Sequence, residues 1–477
     1  MFRLEEKKES KSSVNKIADQ VESLRDTFKT GCTQSLQFRQ RQLDRLALFM
    51  IERESSIKAA LYEDLKKSSQ EAFMLEIGVV TREIRETRNQ LATWVTPTVV
   101  PTMFSAQPAT SLVRPEPLGV VLIISPWNYP FQLAMMPLIG AIAAGNCAIL
   151  KPSEVAPSTS RMLAAHLPSY LDENCFKVVE GGVRETTALL KERFDHIFFT
   201  GGKEVGKVVA AAAAKNLTPT TLELGGKSPC IVDRSANIPV AAERIVWGKF
   251  SNAGQTCIAP DYVLVDKEVE ETLLHCMKEK IQQFYGMDPK KSDDYGRIIN
   301  KAHYQRLLQT LTDNGNIFVG GEVDEKERYI APTILKDVSA DSSIMDKDAE
   351  IFGPVLPVIA YKDIHDVISF VNSRPKPLTV YLFSENKKMQ EHIQNNTSSG
   401  SFVLNHTLLQ GGISTLPFGG VGDSGMGAYH GKKSFDTFSH QKAIFKKPTG
   451  WRLFDVSSYV IYPPYSTTKE ALLKRFT

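Results

Sequence analysis

The chain predicts a doubly wound α/β fold built in two large units. Three observations carry that expectation. Its 477 residues exceed what one core supports. From Gly119 onward, short apolar runs alternate with stretches of helical period. Turn-forming glycines and prolines stand at the ends of those runs. A hydrophobic content of 42% against 23% charged residues supplies enough apolar surface for real cores. The 57 basic and 54 acidic residues are interleaved, so no basic face recommends nucleic acid as a partner.

Taken in order, the first hundred residues alternate apolar and charged positions at helical spacing, as in "RQLDRLALFMIERESSIKAALYEDL", and predict long amphipathic helices. Residues 96–119 bring five prolines and no helical period, which predicts extended chain leaving and re-entering a domain. Five strands follow: "GVVLIIS", "CAILKP", "FKVVEGG", "DHIFFTGG" and "TTLELGG". Alternation of this kind gives a parallel sheet covered on both faces. A second α/β unit is expected from about residue 226, with helix "IPVAAERIVWGKFSNAG", strand "YVLVD" and helix "EETLLHCMKEKIQQFYG".

The run Phe131 to Leu150 is uncharged and long enough to cross a bilayer. Pro137, Gly140, Gly145 and Asn146 interrupt it, so a buried core element is expected instead. The charged start of the chain does not read as a signal or transit peptide, and the final residues form at most a short basic helix. A cytoplasmic setting with reduced thiols is the resulting expectation, because the six cysteines are scattered without CxxC or zinc spacing.

Several motifs fall at strand ends, where ligands of such sheets bind. "FTGGKEVGK" sets Gly201, Gly202 and Gly206 at the start of a helix, either to face an anion with bare amides or simply to make a tight turn. "ILKPSE" places Lys151 and Glu154 where they could hold a ribose, or stand in a solvated loop. Glu223 ends an apolar strand, where partial burial would raise its pKa toward a useful base; a salt-bridged surface acid is the alternative. Asn128 sits between two prolines in "SPWNYP", as an oxyanion donor or as a turn residue. Glu350 and Phe352 in "EIFGPVLPV" could take a second ribose and its ring, or merely precede a core strand. Cys147 and Cys230 lie inside apolar runs and read as filler. Cys257, in "FSNAGQTC", lies among small and polar residues that permit the exposure and lowered pKa of a nucleophile.

These motifs, together with "LPFGGVGDSGMGAYHGKKSFDTFSH", occur in an order that resembles the aldehyde dehydrogenase superfamily, and the last of them points to its class 3 branch. The resemblance implies a Rossmann-like dinucleotide-binding domain over 1–95 and 118–225, a catalytic domain over 226–425, and a small β oligomerisation arm over 96–117 and 440–450. It implies oxidation of medium-chain aliphatic or aromatic aldehydes to carboxylic acids through a cysteine thiohemiacetal and thioester. Cys257 is then the nucleophile, Glu223 the general base, and Asn128 an oxyanion donor with the Cys257 N–H. Lys151 and Glu154 go to the adenosine ribose, Gly201, Gly202 and Gly206 to the cofactor turn, and Glu350 with Phe352 to the nicotinamide side. The implied cofactor is NAD, with NADP also accepted, and no metal is called for. The implied assembly is a homodimer without a membrane anchor. At Gly202 relatives usually carry Ser or Asn, so a side-chain contact is expected to be missing there.

Overall fold

The amphipathic period of the first hundred residues has a plain structural outcome. In the computed structural model, which describes residues 2–312, 314–450 and 455–476, helices Leu36–Glu52, Glu54–Leu65 and Gly78–Trp94 turn Leu43, Leu46, Phe49, Leu61, Ile84 and Leu91 inward. Ser35 caps the first of these by accepting the N–H of Phe38.

These helices pack on helices Gln132–Ala144 and Pro157–His166 and share one core with a six-stranded sheet. Its five parallel strands are the five apolar runs of the sequence: Val120–Ile124, Cys147–Lys151, Phe176–Val178, His196–Thr200 and Thr220–Glu223. The chain enters at the middle with Val120–Ile124, winds through Cys147–Lys151 to the Phe176–Val178 edge, and returns to build the other side. Neighbouring loops therefore diverge at the carboxyl end of the central strand and leave a crevice. Every residue of the two strands Val120–Ile124 and Cys147–Lys151 is buried, so they read as continuous apolar runs rather than as an alternation.

The uncharged run from Phe131 is a core element. Helix Gln132–Ala144 is buried along its whole length, and Gly145, at φ 88, stops it in the left-handed conformation that favours glycine. Among the described residues, no helix is long and apolar enough to cross a membrane. The sixth strand, Gly425–Met426, runs antiparallel to Leu222 and Glu223. Tyr429, Phe435 and Phe438 beyond it pack into the first core. A two-residue strand carries no period, and the sequence gives no warning of this return.

The second unit is a seven-stranded sheet in the order Asn316–Val319, Thr333–Lys336, Val355–Tyr361, Tyr262–Asp266, Pro229–Val232, Thr379–Phe383, Ser401–Leu404. All neighbours are parallel except the first pair. Within the proline-rich stretch, Thr98–Val100 and Thr110–Pro117 join Ser439–Lys446 in a separate antiparallel sheet, in which Val113 is opposite Ala443.

One buried side chain ties the central strand to the returning segment. The Asn146 carboxamide accepts the Gly119 N–H at 2.9 Å and donates to the Phe438 carbonyl at 2.9 Å. Replacing Asn146 by Ala leaves both backbone groups buried without that partner, at about 1–3 kcal/mol each. Urea unfolding of Asn146→Ala is expected to show a loss of about 2–6 kcal/mol. Undiminished stability would mean that the tie is dispensable.

Candidate active site

The site is built around an unusual turn. Helix Ile238–Phe250, capped by Asn237, ends against the cleft, and the chain then takes three successive left-handed residues: Asn252 at φ 53, Ala253 at φ 51 and Gly254 at φ 75. Two of the three carry a Cβ, so the conformation persists only where surrounding contacts impose it. Those contacts are buried and polar. The Asn252 N–H donates to a Glu71 carboxylate oxygen at 2.7 Å, and its amide Nδ2 donates to the carbonyls of Asn128 and Gln255. Gln255 Nε2 donates to the carbonyls of Asn252 and Arg297, while its Oε1 accepts the Ile299 N–H. At Gly254 a Cβ would lie 2.3 Å from the Gly353 carbonyl oxygen, so space as well as φ demands glycine.

The turn delivers Cys257, partly exposed, to the junction of two cavities. One, of about 870 Å³, is largely apolar and includes Met74, Leu75, Trp247, Leu408, Phe418 and Tyr429. The other, of about 970 Å³, lies between the carboxyl ends of the first sheet's strands and the segments that lead into the second sheet's strands Tyr262–Asp266 and Val355–Tyr361. Asn128, Gly201, Gly202, Glu223, Cys257, Glu350 and Phe352 all line it, so seven of the ten residues singled out by sequence share one cavity.

The other three lie outside its wall. Lys151, buried, ends the strand Cys147–Lys151 and donates to Glu154 at 2.6 Å; the Glu154 carboxylate remains 44% exposed, free to face a diol. Gly206 corrects an expectation. Its amide is not bare, because it donates to the Gly202 carbonyl at 3.0 Å. Its lack of a Cβ instead lets helix Lys203–Ala214 approach Leu224, whose Cδ2 would stand 2.7 Å from that atom. The amides without a helical acceptor are those of the first turn from Lys203.

Electrostatically the cavity is crowded with acids. Glu223 is buried, neither carboxylate oxygen has a hydrogen-bond partner, and burial raises its pKa well above the usual carboxylate range. Glu350 is raised in the same direction by burial and by Asp261, against the pull of the Gly226 N–H, Lys227 and Lys249. Burial first, then the Glu350 and Glu223 charges, push the Cys257 thiol up, although its own N–H and that of Ile258 favour the thiolate. The lowered pKa that the sequence context permitted is therefore not what these surroundings produce. The causes are burial first, and then two carboxylates that sequence distance hides.

The set fits a dinucleotide. Free first-turn amides follow Gly202, nothing lies within 4 Å of where a Gly202 Cβ would stand, and the buried Thr200 hydroxyl lining the cavity has no partner. Phe352, at φ 48, meets Trp127 edge-on at 5.3 Å on the far wall.

Sequence reasoning missed the support behind Asn128. A fully buried Lys67 donates to Glu76 at 2.5 Å and to the Asn128 carbonyl at 3.0 Å, while the other Glu76 oxygen accepts the N–H groups of Phe131 and Gln132. The available signal was charge at inward helical positions in "LKKSSQEAFMLEI".

Comparison with known proteins agrees with this geometry. The model of the Aldehyde dehydrogenase family matches residues 7–444. The chain is 48% identical over 451 residues to the dimeric NADP-preferring aldehyde dehydrogenase of Rattus norvegicus, covering 94% of this chain and 98% of the relative. It is 48% identical over 439 residues to 4,4'-diaponeurosporen-aldehyde dehydrogenase of Staphylococcus aureus, covering 92% and 94%. The solved substrate-bound state of Staphylococcus aureus AldH superposes with a TM-score of 0.92 at 45% identity, covering 96% of this chain and 99% of that one.

Glu71, which anchors the turn, is raised by burial to about 7. Its proton is held by the folded state up to that pH but leaves the unfolded chain near 4.5. The folded state therefore binds more protons between these values, and this group makes stability fall as pH rises from about 4.5 to 7. Glu71→Gln keeps the acceptor and removes the titration. Urea unfolding from pH 5 to 8 should show a shallower decline, by up to about 1.4 kcal/mol per pH unit. An unchanged slope would contradict the assignment.

Proposed function

The chain belongs to the aldehyde dehydrogenase family and oxidises aldehydes to carboxylic acids with NAD(P); from that premise we propose that Cys257 is its nucleophile, Glu223 its general base and Asn128 its oxyanion donor. The observation that carries this reading is the meeting of the apolar and the dinucleotide-fitting cavities at one sulfur.

An aldehyde entering through the apolar cavity presents its carbonyl carbon to Cys257 Sγ. Burial and its neighbours hold the thiol protonated, so it gives up its proton to water as the C–S bond forms. Asn128 commits one amide proton to the Gln255 carbonyl at 3.0 Å and keeps the other for the oxyanion, together with the Cys257 N–H. Donors fixed in this way favour the charge that develops, and losing one costs on the order of 10²–10³ in rate. When bound, NAD supplies the acceptor for the hydride that leaves the carbonyl carbon. Lys151 and Glu154 would hold its adenosine ribose, the turn at Gly201 and Gly202 its phosphates, and Glu350 with Phe352 the nicotinamide side. The thioester left on Cys257 is opened by water after Glu223 removes its proton.

Aldehydes of medium aliphatic chain or aromatic character suit the apolar cavity. The dimer is assigned to the separate three-stranded sheet, whose Val99 and Phe445 are 70% and 57% exposed, and a relative described as dimeric supports it. We place the protein in the cytoplasm, without a nucleic-acid partner.

Cys257→Ala is expected to abolish NAD reduction with hexanal. Glu223→Gln should give a burst of reduced cofactor followed by a steady rate lower by about 10²–10⁴-fold. Because burial raises the Glu223 pKa, its basic form grows as pH rises above the ordinary carboxylate range, so the wild-type steady rate rises with pH and the variant lacks that limb. Equal loss of burst and steady state would make Glu223 essential to acylation as well.

Glu154 carries the preference between cofactors, since its carboxylate repels a 2′-phosphate. In Glu154→Gln the ratio of kcat/KM for NADP over NAD should rise about tenfold, equivalent to about 1.4 kcal/mol. A constant ratio would move that role elsewhere.

A further inference from the structure

Three of the six cysteines converge far from Cys257 in sequence and outside both cavities. Cys32 is exposed and lies on the one-turn segment Cys32–Gln34, which follows Gly31 at φ 76 and joins helix Phe2–Lys29 to helix Leu36–Glu52. Cys175 is buried just before the edge strand Phe176–Val178, and Cys147 is buried at the start of the neighbouring strand Cys147–Lys151. Cys32 Sγ stands 3.9 Å from Cys175 Sγ, and Cys175 also shares a hydrogen bond with Cys147.

We propose that Cys32 and Cys175 are a redox site that closes to a reversible disulfide under a hydroperoxide, fastening the N-terminal helical corner to the edge of the first sheet. A disulfide brings its sulfurs to about 2.05 Å, so the pair needs to approach by roughly 2 Å. That movement falls on the exposed Cys32–Gln34 turn rather than on the sheet. The competing pair, Cys147 with Cys175, is buried on both sides and offers an oxidant no entry.

The chemistry balances within the pair and the oxidant. The Cys32 sulfur attacks one peroxide oxygen, the O–O bond breaks, and the departing oxygen takes the Cys32 proton, leaving Cys32 as a sulfenic acid. The Cys175 sulfur attacks that sulfur, the S–O bond breaks, and the hydroxide released takes the Cys175 proton as water. Two thiols lose two electrons and two protons, and the hydroperoxide is reduced to an alcohol or water plus water. The hydrogen bond with Cys147 raises the Cys175 thiol most, with burial and Asp172 adding to it, and burial raises Cys32 as well, against the Thr30 hydroxyl. The reaction is therefore slower than at an ordinary thiol near neutrality and quickens as pH rises. The loop it closes, residues 32 to 175, contains Asn128, Lys151 and Glu154 but neither Cys257 nor Glu223. Oxidation there stiffens the cofactor-side unit without consuming the reactive cysteine.

The test uses the full chain treated with a small excess of hydrogen peroxide, alkylated, digested without reductant and read by mass spectrometry. The expected result is a Cys32–Cys175 linked peptide pair, lighter by two hydrogens than the two thiol peptides and lost on adding dithiothreitol. The thermal unfolding midpoint should rise with linkage and return on reduction. Cys32→Ser should keep full activity and show no such rise. In Cys175→Ala, Cys32 should be trapped by dimedone as the sulfenic acid. Cys32 recovered in the wild type as sulfinic or sulfonic acid without linkage, a Cys147–Cys175 link, or a midpoint rise that survives in Cys32→Ser would each overturn the proposal.

Discussion

The left-handed run Asn252 to Gly254 is the constraint on which the rest of the site depends. A helix that ended in the ordinary way would carry Cys257 along the surface of its own unit. Three residues at positive φ instead fold the chain back, so that the thiol faces the opposite sheet. The conformation is costly for Asn252 and Ala253, and it is held by groups from elsewhere in the chain: Glu71, the Asn128 carbonyl and the Gln255 side chain. Since Asn128 and Glu71 belong to the first unit, the fastening that shapes the turn also joins the two units. Thiol and amide are thus set relative to one another by the same hydrogen bonds.

That arrangement concentrates acids. Glu71, Glu223 and Glu350 are each raised by burial, and Asp261 stands near enough to raise Glu350 further. The balancing cations are distributed unevenly. Lys67 serves Glu76, Lys227 serves Asp261 at 2.6 Å, and Lys249 is buried with no hydrogen-bond partner for its ammonium. Neither Glu223 oxygen has a hydrogen-bond partner, and its raised pKa follows from burial by itself. A carboxyl group so placed has no competing hydrogen bond to break before it accepts a proton from water. The absence of stabilisation in the resting protein is what makes it usable.

Much of this was legible from sequence, for identifiable reasons. The five strands of the first sheet are continuous apolar runs bounded by turns, and each was read in place. Strand ends locate a crevice, so Glu223, Gly201 and Gly202 could be collected before any coordinates. What escaped depends on distance in the chain. Lys67 and Glu76 looked like ordinary helical charges because nothing local reveals that their faces turn toward Asn128. Gly206 was read as part of an anion-binding turn, yet its contact is Leu224, eighteen positions on. The upward shift of the Cys257 thiol comes from burial and then from Glu350 and Glu223, neither of which is near it in sequence.

The two cavities explain why the chemistry occupies a junction rather than a single pocket. An aldehyde bearing a hydrocarbon group gains from leaving water, roughly in proportion to the apolar area removed, and a wall of Met74, Leu75, Trp247, Leu408 and Phe418 supplies that gain without engaging the reacting carbonyl. A dinucleotide requires the opposite surroundings, with free amides and carboxylates that would penalise an apolar chain. One shared cavity would have to compromise between them. Separate approaches that meet at Cys257 let each ligand be selected by its own environment, and leave only the carbonyl carbon, the sulfur and the Asn128 amide to share common ground. The position of the sulfur, and hence the left-handed turn behind it, then decides whether the two selections act on the same bond.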